Sequence, residues 1–245
     1  MDPNASSPDI SFEFPTLFRI YKDGRVERLK GTEVVPPSTD PETGVRSKDI
    51  VLSLESGLSA RIFLPKLPDP TRKLPSLFSS TAALSRAPEH PLPVAYEDSW
   101  EALQWAAAHS NRNGPETWLN DHVDFDRVFV GGDSAGATLT NHVVHRAGVH
   151  GLSGAKIVGM ILFHPYFGNE KPNKLLEVIF PACSGLNDTR DRAWAYYEAL
   201  KKSGWGGVVE IVESEGEDHV FHLFNPSCDK AVEMVKKVVS FINQD

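Results

Sequence analysis

Cysteine is scarce in this chain: Cys183 and Cys228 are the only two among 245 residues. Two thiols build neither a disulfide framework nor a cysteine metal cluster. Long apolar runs are missing as well. No stretch of 18 apolar residues occurs, so no membrane span is expected. Positive charge is in short supply, with 25 Lys and Arg against 33 Asp and Glu and a formal net charge of -8. That balance argues against a nucleic-acid partner. There is no His-Glu-x-x-His, no cysteine pair at metal-binding spacing and no phosphate-binding glycine loop, so neither a metal nor an organic cofactor is expected. The opening Met1-Asp2-Pro3-Asn4-Ala5-Ser6-Ser7-Pro8-Asp9 is polar and acidic, the opposite of a signal peptide. These features point to the cytosol, with the nucleus also open to the chain. Asn4-Ala5-Ser6 and Asn187-Asp188-Thr189 match the glycosylation pattern, which is incidental in a chain that is not secreted. No internal repeat is found.

What is present is ordinary for a water-soluble globular protein: 40% hydrophobic and 24% charged residues. The length suits one large α/β domain or two small ones. Residues 1–48 are rich in Pro and Ser and read as an N-terminal, lid-like extension, with residues 49–245 as the main domain. Asp23-Gly24 marks a hairpin turn between Phe18–Tyr21 and Val26–Leu29. Ile50–Leu54 and Ala60–Leu64 alternate and are expected to open a mostly parallel sheet in antiparallel fashion. Between Pro65 and Pro93, repeated prolines break the pattern, and too few residues remain for a strand–helix–strand crossover.

Regular pattern returns at Tyr96–Ser110, a helix with Trp100, Leu103 and Ala107 on one face. Strand Arg127–Val130, helix Ser134–Gly148, strand Ile157–His164, helix Asp191–Ser203, strand Val208–Val212 and helix Asp229–Ile242 follow. The closing helix carries Val232, Val235, Val238, Val239 and Ile242 on one side. Alternating strands and helices imply an α/β fold whose parallel strands are joined by right-handed crossovers.

The centre of this pattern is Val128-Phe129-Val130-Gly131-Gly132-Asp133-Ser134-Ala135-Gly136-Ala137. Gly132-x-Ser134-x-Gly136 is the nucleophile-elbow pattern. Alone it is weak, arising by chance in roughly one chain in twelve of this length. A β-branched strand before it and an apolar-periodic helix after it (Ala137, Leu139, Val143, Val144, Ala147) supply the context that makes it specific. A turn this sharp leaves no room for β-carbons at Gly132 and Gly136. It lifts the serine hydroxyl out of the sheet to the positive end of a helix, where a developing oxyanion is stabilised.

A serine nucleophile needs a base, and usually a third group to orient that base. In chain order the acid and then the histidine follow the serine. Glu215-Gly216-Glu217-Asp218-His219-Val220-Phe221-His222 lies on the loop after the last strand. His219 is the expected base and His222 the reserve. His109, His122, His142, His145 and His150 read as surface or helix-face residues.

Phe129–Ala137, Arg86-Ala87-Pro88-Glu89-His90-Pro91-Leu92-Pro93, Phe163-His164-Pro165-Tyr166-Phe167 and Gly216-Glu217-Asp218-His219-Val220-Phe221 together resemble the plant carboxylesterase family. That family is the hormone-sensitive-lipase-like branch of the α/β-hydrolases, with a Gly-Asp-Ser-Ala-Gly elbow, and the resemblance runs from Phe12 to Asp245. It implies an α/β-hydrolase fold, Ser134 as nucleophile, His219 as base and Ala135 N–H as an oxyanion donor, with Gly132, Asp133 and Gly136 shaping the elbow. It implies a serine carboxylesterase acting on a small-molecule ester. The same group contains gibberellin receptors, which bind a ligand without catalysis, and 2-hydroxyisoflavanone dehydratases.

Two of the family's features are missing. The His-Gly-Gly-Gly loop should follow a strand after Leu74, yet Lys73-Leu74-Pro75-Ser76-Leu77-Phe78 runs straight towards Arg86. The strand bearing the acidic member of the triad is also absent: Cys183–Thr189 leads directly into Arg190-Asp191-Arg192, and Leu175–Phe180 matches a segment that is helical in relatives. Asp188 is the nearest acid in chain order, while Asp191 is expected on a helix surface. The sheet is therefore expected to be depleted of central strands, as in a splice or gene-model variant of a longer esterase, and Arg127–Val130 to lie at an unpaired edge unless its neighbours close up. Oligomeric state has no signature in the sequence.

Overall fold

The computed structural model describes residues 10–14, 18–29, 35–80, 93–165, 167, 176–180 and 187–244, with only the backbone at 14, 176–180 and 187–189. It divides into two compact units, Met1–Val51 with Ser59–Lys66, and Leu52–Leu58 with Leu67–Asp245.

In the first unit Gly24 takes a positive φ of 85°, which suits the tight reversal after Asp23. The turn joins β2 (Phe18–Tyr21) to β3 (Val26–Arg28) as an antiparallel hairpin. A strand not anticipated from the sequence, β1 (Ile10–Phe14), adds to β2. The next pair, β4 (Arg46–Ser53) and β5 (Leu58–Leu64), forms a sheet of its own. Among the described residues no strand pairing joins it to the main sheet, which corrects the expectation from its alternating pattern. Alternation specifies a two-faced strand but not the partner on its edge.

The second unit holds a five-stranded sheet in the order β10-β9-β8-β7-β6. Its strands are β6 (Leu74–Ser80), β7 (Val123–Asp133), β8 (Ile157–Phe163), β9 (Leu176–Phe180) and β10 (Val209–Ile211). All four pairings are parallel. Two of these strands overturn the sequence reading. Leu74–Ser80 pairs with β7 although prolines surround it, because an edge strand can carry Pro75 without losing a ladder bond on its open side. Leu176–Phe180 is a strand rather than a helix, and occupies the place between β8 and β10. A five-residue apolar run has no period of its own, so its neighbours decide its form. Strand β7 is consequently paired on both sides, not left at an edge.

Period-two alternation distributes the core. Val130, Met160 and Leu162 point to one face and pack with α3 (Ala135–His150) and α4 (Asn187–Lys202) through Ala137, Val144, Ala193, Tyr196 and Leu200. On the same side Trp100 and Leu103 of α1 (Val94–Ala107) meet Val143. Phe129 and Ile161 point the other way, onto Ala231, Met234 and Phe241 of α6 (Asp229–Ile242). The buried stripe of α6 thus runs through Ala231, Met234, Val238, Phe241 and Ile242, whereas Val232, Val235 and Val239 are exposed. That stripe is one helical step away from the face read from the valines. A short helix, α2 (Thr117–His122), has no apolar period and was not anticipated. No helix among the described residues is long and apolar enough to cross a membrane.

Candidate active site

The site forms where β7 and β8 end. Asp133, the last residue of β7, stands opposite Phe163 of β8, and Ser134 N–H donates to the Phe163 carbonyl at 2.8 Å. Ser134 itself adopts φ 55° and ψ -118°, a conformation that costs about 1–3 kcal/mol and persists only where its surroundings enforce it. Gly132 allows the turn: a Cβ there would lie 2.2 Å from the Gly136 carbonyl oxygen and 2.6 Å from Thr140 Oγ1. Helix α3 begins at Ala135, so the Ala135 N–H is among those a helix leaves without an internal partner.

His219 sits on the loop between β10 and a four-residue helix, α5 (Phe221–Phe224). Its Nε2 is 2.9 Å from Ser134 Oγ, across 85 positions of sequence. Burial, reinforced by repulsion from His164, lowers the His219 pKa below its ordinary value, against the opposing pull of Asp133. The imidazole is thereby kept neutral and able to accept a proton. Its Nδ1 is buried and has no hydrogen-bond partner among the described residues.

His222, the reserve base, does not reach the serine and pairs with Asp133 instead, its Nε2 2.9 Å from Oδ2. His164 was missed as a site residue. It is 1% exposed, adopts φ 47°, and lies with its ring centroid 5.4 Å from that of His219 and 5.3 Å from that of His222. A single histidine at the end of an apolar strand carries no periodic signal, and only the parallel pairing of β7 and β8 brings it beside Asp133. Its Nδ1 accepts the Val220 N–H at 3.1 Å and lies 3.7 Å from Asp133 Oδ1. Burial works to raise the Asp133 pKa, yet His164 and His222 outweigh it and hold the carboxyl below its usual range. Of the two, His222 is the closer, and the lone pair of His164 Nδ1 already faces Val220. Even the His222 contact is close without being an aligned hydrogen bond, since neither Asp133 oxygen has a hydrogen-bond partner among the described residues.

The other expected positions resolve unevenly. Asp191 is exposed on α4, as anticipated. Asp188 falls in the first turn of α4, with its side chain outside the described residues, as are Cys183 and residues 81–92 after β6. His109 corrects the surface reading. It is buried, with Nδ1 2.9 Å from the Trp105 carbonyl and Nε2 accepting the Glu116 N–H at 3.1 Å, and is a satisfied core histidine.

Comparison with known proteins gives this geometry its context. Residues 82–179 match a sequence profile of the alpha/beta hydrolase fold. The chain is 38% identical to probable carboxylesterase 7 of Arabidopsis thaliana, over 96% of this chain and 99% of that one. It belongs to the plant carboxylesterase family. A second member, the 2-hydroxyisoflavanone dehydratase of Glycyrrhiza echinata, is 35% identical, with 97% of each chain covered. Among solved structures, the hyperthermophilic esterase of Pyrobaculum calidifontis matches with a TM-score of 0.64 and 20% identity, over 80% of this chain and 85% of that one. This confirms the α/β-hydrolase fold of the family. The alignment to the Arabidopsis carboxylesterase runs over 309 positions, against 245 residues here. This plant carboxylesterase therefore lacks internal segments that its relative carries.

Proposed function

We propose that the chain is a serine carboxylesterase acting on small-molecule esters, and that Ser134 and His219 carry the reaction. The observation behind this reading is the 2.9 Å approach of His219 Nε2 to a serine hydroxyl held at positive φ on a strand–turn–helix. In this reading the turn is a nucleophile elbow. Neutral His219 takes the Ser134 proton as Oγ attacks the ester carbonyl, and the tetrahedral oxyanion is stabilised by Ala135 N–H and the α3 N-terminus. Collapse expels the alcohol, protonated by His219, and leaves an acyl-enzyme. Water, deprotonated by the same imidazole, then releases the acid. Asp188 is the candidate third member, and residues 49–245 are taken as the catalytic domain behind an N-terminal lid-like segment. A cytosolic location without nucleic-acid or membrane partners is part of the same proposal, supported by charge and composition.

Turnover is expected to be slow. Loss of the orienting acid costs ~10⁴ in serine proteases. One missing oxyanion donor costs ~10²–10³, and such penalties do not simply multiply. The decisive experiment combines hydrolysis of short p-nitrophenyl acyl esters with fluorophosphonate labelling, for the native chain and Ser134→Ala. Turnover and labelling that vanish together in the variant are the expected result. A folded native protein that does neither overturns the proposal, and ligand binding without turnover would favour a receptor-like role, although the presence of His219 argues against it.

A further inference from the structure

Asp133, His164 and His222 neither attack the ester nor accept its proton. They nevertheless converge from three elements, the end of β7, the residue after β8, and α5. One ligating atom from each lies within 4.8 Å of the other two. We propose that these three residues form a binding site for one divalent transition-metal ion, zinc by the chemistry of its donors, and that its occupation switches off the neighbouring Ser134–His219 pair. The inhibitory half rests on the esterase reading, but the binding half does not.

Two imidazoles and one carboxylate are a donor set that zinc accepts, with a fourth position left open. The spacings suit the ion. Asp133 Oδ2 is 2.9 Å from His222 Nε2, and Oδ1 is 3.7 Å from His164 Nδ1. Ligands of tetrahedral zinc stand about 3.3 Å apart, given bond lengths near 2.1 Å. The site is held by more than its own contacts, since the β7–β8 ladder fixes Asp133 against Phe163, and Phe163 and Phe221 pack beside His222 and His164. Both oxygens of Asp133 are buried with no hydrogen-bond partner among the described residues. A carboxylate in that condition is unusual, and a cation would satisfy it. The Asp133 and His222 side chains keep 17% and 15% exposure, enough for an ion to reach them from solvent.

Coordination would act on His219 in two ways. The His219 ring lies beside that of His164, with centroids 5.4 Å apart. A dication held there would oppose the positive charge that proton transfer from Ser134 places on the His219 imidazole. The lone pair zinc needs on His164 Nδ1 is the one now accepting the Val220 N–H. Val220 is β-branched, holds φ 56°, and directly follows His219. Releasing its N–H frees this strained residue to relax and draws the base away from Ser134.

The test is isothermal titration of Zn²⁺ into Ser134→Ala protein, which measures binding without turnover. One zinc per chain is expected. Affinity should fall at least about tenfold in His222→Ala and again in Asp133→Asn, since even outer-shell changes act on that scale. It should hold in a His145→Ala/His150→Ala control that removes surface histidines of α3. With the native chain, fluorophosphonate labelling should slow as zinc is added and recover with a chelator. No zinc uptake, or uptake unaffected by both substitutions in folded protein, overturns the site. Binding without slowed labelling overturns the switch. Absence of labelling in chelator-treated native protein overturns the esterase reading and the switch with it, while the titration still decides the site.

Discussion

His219 and Gly132 carry the sharpest consequences of this geometry. In the proposed mechanism His219 works only as neutral imidazole, and burial lowers its pKa from an ordinary value of 6.5. Activity is lost as pH falls through that lowered value. The acidic limb of kcat/KM should therefore have its midpoint below 6.5, read from ester hydrolysis across pH 4–8. A midpoint at or above the ordinary histidine value would mean that burial does not govern the His219 imidazole. Gly132→Ala forces a β-carbon onto the Gly136 carbonyl, which is backbone and cannot swing away. It should destabilise the fold by about 1–3 kcal/mol, seen as a lower urea midpoint, together with loss of labelling at Ser134. The glycines around Ser134 were legible in the sequence because their absence of side chain is itself the signal. His164 was not, because its role depends on which strand lies alongside.

Among the elements, α4 is tied to the end of the sheet through Glu213, and Arg192 donates to the Phe167 carbonyl at 3.0 Å. Glu213 receives Arg190 through two contacts, of 2.6 and 3.1 Å, and the Trp194 Nε1–H at 3.0 Å. Glu213 is mostly buried while Arg190 is partly exposed, so much of the ionic contribution is screened. Glu213→Ala should cost about 1–2 kcal/mol, mainly through the indole N–H left without its partner. Chemical denaturation checks it, and an unchanged midpoint would mean that α4 docks through Ala193, Tyr196 and Leu200 alone. Helices with wide apolar stripes were readable: Trp100, Leu103 and Ala107 of α1 are buried as expected. The α6 valines misled because three of them sit beside the buried stripe, and a run of valines has little angular resolution. β6 and β9 were misread because prolines and a short apolar run say nothing of a neighbouring strand's demand for pairing.

On the scale of the whole molecule, β6 is the outermost strand of the five-stranded sheet among the described residues, and Leu77 on it is 43% exposed. Such an edge offers backbone groups and apolar surface to another chain. Leu77→Lys should raise the concentration at which light scattering begins severalfold. No change would show that association, if any, proceeds through another surface. The relative's 309 aligned positions against 245 residues here locate the difference inside the chain rather than at its ends. Even so, four parallel pairings and both helical layers form around β7, because the apolar residues on its two faces demand cover wherever it comes from.

The sequence by itself determined the glycine-flanked turn at Ser134, its flanking strand and helix, and the order of serine and histidine, because these rest on local sterics and hydrophobic period. Tertiary structure alone decided that Leu74–Ser80 and Leu176–Phe180 become strands, that His219 and not His222 meets Ser134, and that Asp133, His164 and His222 come together. Those outcomes depend on which backbones lie side by side. Contacts between residues dozens of positions apart are set by packing of the whole sheet, not by any pattern a short stretch of chain can carry.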